Sequence, residues 1–149
     1  MEWSEVIDNP FLQNLPFKIE MDKWGKILMS PAGNNHGNLQ YEVGKTIDRE
    51  KKSGKIIIEC SIQTPEGVKV ADVAWASDEF IAEHGFRTPY KVSPEIVVEV
   101  VSPSNTKKEM AFKTNLYLNQ GAREVWLVDE KGVITYFSDA GRIEESGEV

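Results

Sequence analysis

Apolar and polar residues alternate from Phe17 to Met21, and the largely apolar Lys26 to Met29 follows across the turn Asp22-Lys23-Trp24-Gly25. That is the signal of a hairpin. The period lengthens after Pro31-Ala32-Gly33-Asn34-Asn35, where His36, Leu39, Gln40, Val43 and Ile47 share one side of a helix expected over about His36 to Lys52. Gly54 ends it. Lys55 to Ile62 and Val68 to Trp75 then read as two strands joined by Pro65-Glu66-Gly67, and Ser77 caps a short helix closing at His84-Gly85. In the second strand the alternation puts Val70, Asp72 and Ala74 on one face and Ala71, Val73 and Trp75 on the other.

The stretch from Pro94 to Asp129 organises the rest. An apolar run, the turn Ser102-Pro103-Ser104-Asn105, a helical stretch, Gly121 and a second apolar run make a βαβ unit. Thr106-Lys107-Lys108-Glu109 has the form of a capping box, so the helix starts there. Met110, Phe112, Leu116 and Tyr117 form its apolar face, and Lys113 falls between Leu116 and Tyr117. Beyond Val128, Asp129-Glu130-Lys131-Gly132 and Val133 to Phe137 complete a hairpin, and the polar tail has room for one more strand. Residues 1–16 read as an irregular arm with room for a short helix, and 17–149 as a single domain.

Composition narrows the classes. The chain has 149 residues, 40% hydrophobic and 28% charged, which suits one globular domain with a core of its own. A single cysteine, Cys60, lies in an apolar strand and rules out an internal disulfide framework. No apolar run approaches a membrane span and the first residues lack a leader's pattern, so a cytoplasmic location is expected. A net charge of −7 argues against nonspecific coating of nucleic acid, though not against local contact through a metal.

Two carboxylates stand out. Glu99 interrupts five branched apolar residues, and Asp72 sits among small and apolar ones. A carboxylate buried without a partner costs several kcal/mol, so each should meet a cation, a metal or a proton. Lys113 could reach Glu99 from the helix packed on the sheet; equally, it could pair with Glu109 one turn earlier and extend into water. Two carboxylates and a lysine suffice for Mg²⁺-dependent phosphodiester hydrolysis, in which the metal polarises the phosphoryl oxygen and acidifies a bound water.

Three strings, Ala71-Asp72-Val73-Ala74-Trp75, Pro94 to Asn105, and Gly121-Ala122-Arg123-Glu124-Val125-Trp126-Leu127-Val128-Asp129, together with Lys113 and Tyr117-Leu118, resemble the Uma family of putative restriction endonucleases. That family is part of the PD-(D/E)XK nuclease-like superfamily. The resemblance implies an α/β (α+β) fold, a restriction-endonuclease-like mixed central sheet flanked by helices, here with added N-terminal and C-terminal hairpins. It also implies that Asp72 and Glu99 bind Mg²⁺ or Mn²⁺, with the Val100 carbonyl as a further ligand. Ala71 replaces the superfamily's proline, and Val101 stands where its lysine is expected, so Lys113 is the substitute. His36 is a possible accessory residue, the substrate is nucleic acid with DNA foremost, and the assembly is a homodimer whose edge strands are covered.

Two rivals remain open. One is a non-catalytic binding or assembly protein in which Glu99 and Lys113 form a structural ion pair; there Asp72→Ala should be almost silent, whereas in a nuclease it should abolish metal binding. The other is a metal-dependent hydrolase acting on something other than nucleic acid.

Overall fold

The computed structural model of the chain describes residues 2–15 and 17–149. Helix α1 (Trp3–Asp8) and a single 3-10 turn (Pro10–Leu12) lead into the hairpin β1 (Phe17–Met21) and β2 (Ile27–Pro31). Then come α2 (Asn34–Lys51), the long pair β3 (Lys55–Thr64) and β4 (Gly67–Ala76), and α3 (Asp78–His84). The unit β5 (Ile96–Val100), α4 (Lys107–Asn119) and β6 (Glu124–Val128) is next in the chain, then β7 (Ile134–Ser138) and β8 (Gly141–Ile143). Met1 and Pro16, the ends of the expected arm, lie outside the described residues; between them the arm is largely helical, and Trp3 and Val6 pack on Met21, Val68 and Val70.

One eight-stranded sheet runs β2-β1-β4-β5-β6-β7-β8, with β3 paired to β4. All pairs are antiparallel except β5 with β6, whose parallel crossover through α4 is the expected βαβ unit. The sheet carries a core on each face. Val43 and Ile47 of α2 pack with Val73, Trp75, Ile96 and Val98 on one side; Phe80 of α3 and Tyr117 of α4 pack with Ala71, Ala74, Val97 and Val125 on the other. The mixed sheet flanked by helices and its terminal hairpins agree with the expected architecture. No helix among the described residues is long and apolar enough to cross a membrane.

Two local readings change. Phe112, expected on the core face of α4, is 52% exposed, and Thr114 is buried in that helix instead. Strict alternation also fails in β4, because Ala71 and Ala74 pack in the same core. The break falls at Asp72, opposite Glu59 of β3, whose positive φ of 55° interrupts the β3–β4 ladder between Ile58↔Val73 and Cys60↔Ala71.

Strand β4 has two unlike edges. One is filled by β3 from end to end. The other is shared: β1 meets it at Val68, and β5 meets it over Val73–Trp75. Gly67, at φ 97°, makes the first junction possible, since a Cβ there would collide with the Met21 carbonyl oxygen. Between the two junctions, from Lys69 to Asp72, that edge has no paired strand.

Candidate active site

Side chains fill the gap that the strands leave. Glu20 of β1 accepts the Val70 N–H through Oε2 at 2.7 Å, and Asp72 accepts the Val100 N–H through Oδ2 at 2.7 Å. Each carboxylate thereby satisfies a buried backbone donor that a continuous ladder would have satisfied. Glu99 enters the same space from β5, since it alternates with Val98 and Val100 of the opposite core. Three acids now converge, and all three are buried.

Two lysines meet them. Lys18 Nζ lies 3.2 Å from Asp72 Oδ1 and 3.0 Å from Glu99 Oε2. Lys113 Nζ lies 2.8 Å from Glu20 Oε2 and 3.2 Å from Glu99 Oε1. The Tyr117 hydroxyl donates to Glu99 Oε1 at 2.7 Å, which leaves neither oxygen of Glu99 without a partner. His36 Nε2 is 3.2 Å from Asp72 Oδ1, and Gln40 of the same helix donates to the Asp72 carbonyl at 2.8 Å. Helices from both faces of the sheet therefore grip one strand break.

The structure brings together Asp72, Glu99, Lys113 and His36, and it places Val100 beside them through its N–H. Lys113 does not pair with Glu109. That carboxylate completes the capping box of α4 with Thr106, which frees Lys113 to turn toward the sheet. Lys18 and Glu20 were not foreseen. They are two residues apart in β1 and so share a face, which looks in sequence like the solvent side of a hairpin.

Burial opposes every charge here, and the outcome differs by residue. For Lys18, the Glu99, Asp72 and Glu20 carboxylates outweigh burial and hold the ammonium above its ordinary range. For Asp72, burial is outweighed by the His36 hydrogen bond, Lys18 and the Val100 N–H, and the carboxyl lies below the usual carboxylate range. Glu20 is lowered too, with Lys113 and Lys18 prevailing over burial. Glu99 goes the other way: burial, with Asp72 and Glu20 nearby, prevails over both lysines and raises it. Burial also lifts Tyr117 well above its ordinary value, so its hydroxyl keeps the proton it donates. Of the three acids, Glu99 is the one most readily protonated.

The cluster forms the floor of a cleft of about 590 Å³. As a metal site its chemistry fits in one respect: Asp72 and Glu99 present hard carboxylate oxygens to a single cation, and that cation is the Lys18 ammonium. No group of three His, Cys, Asp or Glu residues among the described residues is arranged to hold a metal ion directly. Ion and ammonium would compete for the same oxygens.

Comparisons with known proteins bear on what such a cleft does. The sequence model of the Uma2 family, described as "Putative restriction endonuclease", matches residues 8–146. The crystal structure of a putative nuclease from Anabaena variabilis superposes with a TM-score of 0.67, at 17% identity, over 86% of this chain and 73% of that one. At that identity the likeness is one of fold. No curated protein matches the sequence.

Proposed function

The chain belongs to the Uma2 family of restriction-endonuclease-like proteins, and from that membership and the geometry of the cleft we propose that it is a divalent-metal-dependent nuclease, hydrolysing phosphodiester bonds of nucleic acid, DNA foremost. The observation that carries this reading is the convergence of Asp72 Oδ1 and Glu99 Oε2 on one cation at the floor of an open cleft. Asp72 and Glu99 would hold Mg²⁺ or Mn²⁺, with the Val100 carbonyl as a further oxygen. The bound ion would supply a polarised phosphoryl oxygen and a water of lowered pKa.

The chain's own residues supply the rest. Lys113, tethered to Glu20 and Glu99, places a positive charge at the cleft floor where it would stabilise charge developing on the phosphate. Tyr117 fixes the rotamer of Glu99, and His36 and Gln40 fix Asp72 from the other face of the sheet. His36 is an accessory in this reading. A reducing compartment suits the free, buried Cys60, and we place the protein in the cytoplasm. The exposed edge strand β2, with Met29 on its surface, is consistent with a homodimer, which sedimentation would test.

The non-catalytic reading also has a specific observation in its favour, since the acids are already neutralised in part by Lys18 and Lys113. A silent Asp72→Ala no longer separates the two, because Asp72 holds Lys18, His36 and a backbone N–H in either case. Cleavage does separate them. Single- and double-stranded DNA and RNA are incubated with the protein and millimolar Mn²⁺, with and without chelator. Chelator-sensitive cleavage that disappears in folded Glu99→Gln is expected. Intact substrates of every kind, together with no calorimetric Mn²⁺ binding, would overturn the nuclease reading in favour of the scaffold.

A further inference from the structure

Lys18 touches both carboxylates of the proposed metal site yet has no part in the chemistry assigned to Asp72, Glu99 and Lys113. Its ammonium bridges the two carboxylates assigned to the metal, at 3.2 and 3.0 Å, and its side chain is only 10% exposed. Magnesium binds carboxylate oxygens at about 2.0–2.1 Å and keeps several waters. A divalent ion on Asp72 Oδ1 and Glu99 Oε2 would take the two oxygens that the Lys18 ammonium now holds, and two cations that close repel strongly. The two occupancies exclude each other.

We propose that Lys18 is the resident cation of the carboxylate pair, displaced into the cleft when a divalent ion enters. This rests on the metal-dependent reading above. In the metal-free protein Lys18 keeps Asp72 and Glu99 drawn together, which preserves the site at the expense of metal affinity. Glu20 contributes to the arrangement, since it anchors Lys113 and leaves Lys18 to the other two acids.

Displacement changes the sign of the cleft floor. With all three carboxyls ionised and His36 neutral, Glu20, Asp72 and Glu99 against Lys18 and Lys113 leave one net negative charge, and a divalent ion makes it one net positive charge. The released ammonium then faces a cleft already lined by Lys69 and Lys113. A polyanion is repelled before the ion enters and attracted afterwards. Metal first and nucleic acid second is the order this enforces, and it fits a protein whose overall charge is −7.

The test is calorimetric Mn²⁺ titration of wild type and Lys18→Met at low salt, with circular dichroism as the folding check. In parallel, wild type is reductively methylated with and without Mn²⁺, and Lys18 and Lys113 labelling is read by mass spectrometry. Folded Lys18→Met should bind Mn²⁺ at least about tenfold more tightly, and Mn²⁺ should increase labelling of Lys18 but not of Lys113. A purely structural Lys18 moves the other way, because losing it would splay the carboxylates and weaken binding. Equal or weaker affinity, or Lys18 labelling indifferent to Mn²⁺, overturns the displacement while leaving the metal site standing. Absence of binding by both proteins overturns the site and the displacement together. Should Lys18→Met fail to fold, the wild-type labelling decides alone.

Discussion

Glu99 and Glu124 sit on adjacent parallel strands, and they are almost equally buried, at 3% and 4% exposure. Their partners differ in kind. Glu124 receives the Trp126 indole N–H at 2.9 Å, the Ser146 hydroxyl, and the backbone N–H groups of Gly147 at 2.7 Å and Glu148 at 3.1 Å. All four donors are neutral, and three come from the chain's last residues, which the carboxylate pins to the start of β6. Glu99 instead meets two ammonium groups and a phenol at the floor of a cleft. Fixed neutral donors commit a carboxylate to one arrangement, whereas cations on flexible stems can be exchanged for another cation. Burial alone marks neither as functional; the kind of partner does.

The largest expected effect breaks the comparison on activity. Asp72→Asn or Glu99→Gln should lower metal-dependent cleavage by about a hundredfold or more, while Glu124→Gln leaves it unchanged. Single-turnover rates on a labelled oligonucleotide at saturating Mn²⁺ measure this. A Glu124 variant as inactive as Glu99→Gln would mean that the tail, and not the cleft, governs activity.

Stability should rank the two acids in the reverse order. Glu124→Leu strands a buried indole N–H and releases the C-terminal segment, an expected loss of about 2–4 kcal/mol. Glu99→Gln should lose less, about 1–2 kcal/mol, because Lys18 keeps Asp72 and Lys113 keeps Glu20. Urea unfolding in the presence of chelator gives both values. If Glu99→Gln proves the more destabilising, its cations are structural.

Much of this was legible in sequence. The capping box at Thr106 and Glu109, the βαβ unit and both hairpins come from local patterns, because turn chemistry and periodicity act over a few residues. Glu99 was legible as an anomaly, a charge in a run of branched apolar residues. Lys18 and Glu20 were not, because alternating charges on one face of a hairpin strand look the same whether that face meets water or a gap in a sheet. A signal was present: Lys18-x-Glu20 offers opposite charges to one side, and two isolated acids elsewhere needed cations. Nor could sequence show that β1 and β5 divide one edge of β4, since that division depends on contacts between distant segments. The break in alternation at Asp72 had the same origin, in the left-handed backbone of Glu59 on the neighbouring strand.

The smallest effect concerns His36, which shares Asp72 Oδ1 with Lys18 and has no counterpart around Glu124. Its hydrogen bond to Asp72 raises the imidazole above the ordinary 6.5, against the opposing effect of burial. A histidine raised in the folded state contributes stability that is fully present below its unfolded value of about 6.5 and is lost as pH rises through the folded value. In chelator, wild type should therefore lose slightly more stability than His36→Asn does as pH rises from below about 6.5 through the folded midpoint. The imidazole resonances should titrate above about 6.5 in wild type and closer to it in folded Asp72→Asn. An unchanged midpoint in Asp72→Asn would remove His36 from the cluster's electrostatics and leave it as packing at the start of α2. A lowered midpoint would tie the helix on one face of the sheet to the acid that, on the other side, shares a cation with Glu99.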